Sequence, residues 1–144
     1  MRLVISLAAL ALATSASAHV TVWPAQSSPG GREKYEIRVP NERKSSTITV
    51  EVHFPATLRV TAVEQKPGWQ AEAIRDGAGN LTGVRWIGSL PPEQFTEFGV
   101  LAVNPSGAGE LAFTAIQAFA DGTKINWSGT AGSKTPAARV RLSR

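Results

Sequence analysis

Thr47-Ile48-Thr49-Val50-Glu51-Val52-His53-Phe54, closed by Pro55, alternates polar and apolar residues. Side chains on an extended chain point to opposite faces in turn, so this stretch reads as a half-buried strand. Ile48, Val50, Val52 and Phe54 fall on the core side and His53 on the polar side. Upstream, Lys34-Tyr35-Glu36-Ile37-Arg38-Val39 repeats the pattern and stops at Pro40. Further candidates are Leu58–Val63, Gln70–Arg75, Gly83–Ile87, Glu97–Val103, Leu111–Phe119, Thr123–Trp127 and Ala138–Leu142. Asp121-Gly122 between two of these runs is a hairpin signal. Pro67-Gly68, Gly77–Asn80, Pro91-Pro92 and Asn104-Pro105 punctuate the rest. No window shows a helical stripe, and no repeat or linker is visible. Many short strands in one domain point to an all-β, immunoglobulin-like antiparallel sandwich.

The first residues are of another kind. Met1-Arg2 opens a run from Leu3 to Ala13 that is apolar except for Ser6, and Ala16-Ser17-Ala18 follows. The run is too short to span a bilayer as a helix. A positive start, a short apolar run and a small-x-small end make a secretory signal peptide over residues 1–18, cut so that His19 becomes the new N-terminus. Removing 18 of the 144 residues leaves 126, one domain's worth. Loss of Arg2 leaves 14 basic against 11 acidic residues, interspersed, which gives no support to a nucleic-acid or membrane-surface role. The expected location is the periplasm.

The chain has no cysteine, and its one methionine is Met1, which leaves with the signal peptide. Blue-copper sites, which need Cys, and thiolate or thioether Cu(I) sites are excluded. No Gly-x-Ser-x-Gly elbow and no phosphate-cradling Gly loop occurs. What remains is His19. At a free N-terminus its α-amine and imidazole Nδ1 can close a chelate ring on one ion, a pair of nitrogens that suits Cu(II). His53, the only other histidine, reads as a surface residue. Its alternative role is a second imidazole in a two-histidine brace. Among the four tryptophans, Trp86 reads as core, while Trp69 and Trp127 stand at strand edges where a site could form.

Five short motifs occur in order. They are His19-Val20-Thr21-Val22-x-Pro24, Glu64-x-x-Pro67-Gly68-Trp69, Phe95-x-Glu97-Phe98, Asp121-Gly122-Thr123-x-x-x-Trp127-x-Gly129, and Thr135-Pro136. Together they resemble the YcnI-like copper-binding proteins across essentially all of residues 19–144. The resemblance implies a single-histidine brace for Cu(II) on an immunoglobulin-like fold. His19 would supply amine and imidazole, Glu64 the acidic ligand before the Pro-Gly-Trp turn, and Trp127 the functional tryptophan of the site. The function to expect is copper carriage without catalysis, exchanging the ion with another periplasmic copper chaperone or a membrane copper transporter. Some relatives carry a C-terminal membrane anchor beyond the domain; this chain stops at Arg144, so no anchor is expected in the mature chain. The rival readings are a brace-type copper oxidase and a metal-free immunoglobulin-like interaction module.

Overall fold

The computed structural model describes residues 18–144; the expected signal peptide over residues 1–18 lies outside the described residues except for Ala18. Among the described residues eleven strands form: β1 (Thr21–Trp23), β2 (Gln26–Ser27), β3 (Arg32–Pro40), β4 (Thr47–His53), β5 (Arg59–Val63), β6 (Gln70–Arg75), β7 (Leu81–Leu90), β8 (Phe95–Val103), β9 (Gly109–Phe119), β10 (Lys124–Trp127) and β11 (Ala138–Leu142). One sheet has the order β1-β3-β8-β5. The other runs β2-β11-β9-β4-β7-β6, with β10 also on β9. All pairings between these strands are antiparallel except the short β2–β11 contact. Among the described residues no helix is long and apolar enough to cross a membrane.

All nine expected strands form, Gln70–Arg75 and Ala138–Leu142 with the expected ends and the other seven with shifted ones. β1 and β2 add three and two residues, too short for alternation to reveal. The inner faces close on Tyr35, Ile37 and Val39 from β3, Phe98 and Val100 from β8, Val50 and Val52 from β4, and Val84 and Trp86 from β7, all at most 1% exposed. Each such side chain withdrawn from water contributes roughly 1.5–3 kcal/mol, and with no disulfide available this burial carries the fold. Trp86 stacks on Phe98 with ring centroids 4.4 Å apart, and Trp69 meets Phe98 edge-on at 5.1 Å.

The core face of β4 departs from the alternation at one end. Ile48 is 38% exposed while Thr47 is fully buried. A register shift between Thr47 and Thr49, against both β7 and β9, turns Ile48 outward. The hydroxyl that takes its place inside is satisfied, since Thr47 Oγ1 accepts from Gln117 Nε2 at 2.8 Å.

Two glycines test the packing. A Cβ at Gly83 would sit 2.6 Å from the Val52 carbonyl oxygen, part of a ladder that cannot yield. At Gly99 the closest obstacle is the carboxylate end of the Glu64 side chain, which can swing away, while the Glu64 Cβ at 3.2 Å needs only a small shift. Gly83→Ala is therefore expected to lose about 1–3 kcal/mol in urea denaturation at unchanged m-value, and Gly99→Ala, whose main obstacle is mobile, distinctly less than Gly83→Ala.

Candidate metal centre

The pairing of β1 with β3 sets the site. Thr21, Val22 and Trp23 face Arg38, Ile37 and Glu36 in antiparallel register. The chain that precedes Thr21 therefore runs beside the chain that follows Arg38. β3 ends at Pro40, and Asn41, 2% exposed, pins the loop beyond it. The Asn41 side chain donates to the Ser45 carbonyl (2.9 Å) and the Leu90 carbonyl (3.0 Å), and its Oδ1 accepts from Arg43 N at 2.9 Å. Glu42 is thereby presented toward residue 18. Its Oε1 accepts from the Ala18 backbone N–H at 3.0 Å.

The second sheet supplies the wall. The His19 ring lies 5.6 Å from the Trp127 ring, tilted by 53°. Trp127 is 5% exposed, and its Nε1–H donates to Gln117 Oε1 at 3.0 Å. Gln117 Nε2 donates in turn to the Pro40 carbonyl at 3.0 Å and to Thr47 Oγ1. One buried amide thus ties the tryptophan to the end of β3, one residue before the Asn41 anchor. Beside Glu42 opens a cleft of about 210 Å³, lined among others by Ala18, Arg43, Trp127 and Lys134.

Of the sequence-predicted residues, His19 and Trp127 come together and Glu64 does not join them. The Glu64 N–H donates to the Gly99 carbonyl at 2.9 Å, and its carboxylate lies over Gly99. Gly99 is level with Glu36 and, through it, with Trp23. Glu64 is therefore three strands across and four residues along from His19, roughly 14 Å by 13 Å at ordinary strand spacings. The Pro67-Gly68-Trp69 turn that drew attention to it has a packing role, since it lays the Trp69 ring over Gly88 and against Phe98.

His53 is also apart. Its Nε2 lies 2.7 Å from Glu51 Oε1, on the opposite face of its sheet from Val52. Among the described residues no group of three or more His, Cys, Asp or Glu side chains is gathered closely enough to hold a metal ion. A metal at His19 would depend on a backbone nitrogen as well as side chains.

Glu42, Asn41 and Gln117 were not singled out by sequence reasoning. Asn41 and Glu42 are brought to the site by the register of a three-residue strand, and Gln117 by hydrogen bonds to Pro40, Thr47 and Trp127, neither of which an alternation pattern reports.

A family model described as a domain of unknown function, DUF1775, matches residues 19–142. The chain belongs to the DUF1775 family. A relative, the copper-binding protein CutI of Bacillus subtilis strain 168, is 34% identical over 123 residues. The match takes in 84% of this chain and 60% of that protein, so the chain spans about three fifths of the relative's length. These findings bear out the resemblance to YcnI-like proteins drawn from the five motifs. Among solved structures, an uncharacterized protein from Nocardia farcinica with an immunoglobulin-like fold superposes with a TM-score of 0.75 at 28% identity, over 88% of this chain and 99% of that one. The expected immunoglobulin-like sandwich is thus the fold observed. A cohesin module from Clostridium perfringens (TM-score 0.57, 11% identity, 86% and 95% coverage) and a cohesin from Archaeoglobus fulgidus (0.55, 16%, 88% and 91%) share the fold alone.

Gln117 is the residue whose loss should be felt most in this DUF1775 site. Gln117→Leu would leave the Trp127 Nε1–H buried without an acceptor and deprive two oxygens of their donor. An unsatisfied buried group costs about 1–3 kcal/mol. The variant is expected to lose at least that much in chemical denaturation, with a shift of the tryptophan emission reporting the freed indole.

Proposed function

We propose that this protein binds Cu(II) outside the cytoplasm and carries it as cargo. In this reading the donors are the α-amine and Nδ1 of a cleaved His19 and the carboxylate of Glu42, and Trp127 walls the site. The observation that carries it is the Glu42 carboxylate 3.0 Å from the nitrogen of Ala18, with the His19 ring already resting against Trp127. Cutting the Ala18–His19 bond frees an amine one residue from that carboxylate. Further support comes from the copper-binding relative, from a family match that begins at His19, and from the small-x-small Ala16-Ser17-Ala18 before it.

The donor set fits the metal. Two nitrogens and a carboxylate oxygen suit Cu(II), and no thiolate or thioether is present among residues 19–144 to favour Cu(I). The amine must shed its proton to bind. With a reference pKa of about 7.7–8.0, it is mostly protonated at lower pH, so affinity should rise as pH climbs through that range and loading should release protons. Carriage is favoured over oxidase chemistry because the other imidazole, His53, is engaged with Glu51 on a different face. The ion would be exchanged with a periplasmic copper chaperone or a membrane copper transporter.

The test is competition titration of Cu(II) against a chelator, on protein beginning at His19. Glu42→Gln is expected to weaken binding about tenfold or more, since the amide keeps the shape and loses the charge. Glu64→Gln and His53→Ala should each leave it unchanged. A loss in Glu64→Gln with none in Glu42→Gln would overturn the ligand set, and a loss in His53→Ala matching that of His19→Ala would favour the two-histidine oxidase.

A further inference from the structure

The cleft beside Glu42 carries more positive charge than one metal-binding carboxylate can balance. Arg43 and Lys134 both line it, and its inner wall is apolar, formed by Phe119, Ile125 and Trp127. The five ion pairs among the described residues use Lys34, Arg38, His53, Arg85 and Arg139 as the cationic or histidine partner, so neither Arg43 nor Lys134 is engaged in one. Arg43 is nevertheless held in place. Its guanidinium carbon lies 5.0 Å over the Phe119 ring, and Nη1 is 3.3 Å from Thr123 Oγ1. Asp121 lies close enough to interact electrostatically with Arg43 but forms no ion pair with it, and its Oδ1 accepts from the hydroxyl (2.6 Å) and N–H (3.0 Å) of Thr123. Ala18 also lines the cleft, so cleavage before His19 removes one of its walls and opens it toward the new amine.

This inference rests on the copper reading above. Amine, imidazole and Glu42 give three donors, whereas Cu(II) favours a tetragonal set and leaves a position open. The dication, Arg43 and Lys134 outweigh the carboxylates of Glu42 and the nearby Asp121 by two positive charges at an apolar wall. Water answers none of that charge. An oxygen anion answers it with charge-assisted hydrogen bonds, and the guanidinium fork suits a carboxylate.

We propose that the cleft takes a small organic carboxylate together with the metal. One carboxylate oxygen fills the open copper position, and a second carboxylate, where the acid has two, meets Arg43 and Lys134. The species received would then be copper already complexed by an organic acid, with Glu42 and His19 displacing some of its ligands. No redox or covalent step is involved.

The experiment uses protein beginning at His19, loaded with one Cu(II) in carboxylate-free buffer at constant ionic strength, and followed by electron spin resonance. Succinate is expected to shift the copper hyperfine splitting saturably, acetate to do so more weakly, and perchlorate not at all. Arg43→Ala/Lys134→Ala should raise the succinate half-saturation about tenfold without reducing Cu(II) affinity in the absence of carboxylate. Lys134→Ala alone, at an exposed position with no side-chain hydrogen bond among the described residues, should show part of that change with the fold intact. A spectrum blind to succinate, an equal half-saturation in the variants, or extraction of the copper into free succinate complexes would overturn the proposal. So would a response to a Glu-containing peptide without one to succinate, which would mark a protein-docking cleft. Protein that takes up no Cu(II) before any acid is added would remove the metal site itself, whereas bound copper indifferent to succinate removes only the anion site.

Discussion

The antiparallel pairing of β1 with β3 is the constraint on which the site depends. Three residues, Thr21 to Trp23, lie against Arg38 to Glu36, and that register alone decides which loop meets the chain ahead of Thr21. A shift by one residue would turn Val20 and Val22, both under 4% exposed, out of the core and the His19 side out of reach of its neighbours. Burial of two valines therefore fixes the position of a histidine that is itself only half buried. The hydrophobic effect is non-directional, but strand alternation converts it into placement.

Polar groups complete what burial begins. Asn41 and Gln117 are each at most 2% exposed and each is hydrogen-bonded to backbone from a different part of the chain. Such groups add about 1 kcal/mol net when satisfied and cost more when one partner is lost, which makes them poor sources of stability and good sources of geometry. Asn41 holds the loop that carries Glu42. Gln117 joins Trp127 of one sheet to the Pro40 carbonyl of the other, so both sides of the cleft keep a fixed separation. Of the cations, Arg43 sits on the same loop, held over the Phe119 ring and against Thr123, and Lys134 on the exposed segment before β11.

How much of this was legible differs by level. Period-two alternation gave the long strands directly, because each buries one face and exposes the other. It failed at Ile48, where a bulge exchanges an isoleucine for a hydrogen-bonded threonine, a local event that hydropathy does not encode. It passed over β1 and β2, which are too short to show a period. At the site, His19 was readable from its place after a cleavage motif, and Trp127 from its place after an Asp-Gly turn. Glu42 was not, because two residues that meet only through a strand register leave no spacing signal in the chain. Glu64 had a recognisable motif around it, but the turn of that motif serves the Trp69–Phe98 contact.

The central claim is that the chain's own new N-terminus makes the metal site. The most direct measurement compares Cu(II) affinity and coordinated nitrogens, by spin resonance, between protein beginning at His19 and protein that keeps Ala16, Ser17 and Ala18. An amide nitrogen is a poor ligand at neutral pH, and the retained residues carry the free amine away from the imidazole. The expected result is one tightly held Cu(II) per chain with amine and imidazole nitrogen coupling in the first protein, and far weaker binding with an altered nitrogen pattern in the second. Equal affinity and the same nitrogen pattern in both would contradict it.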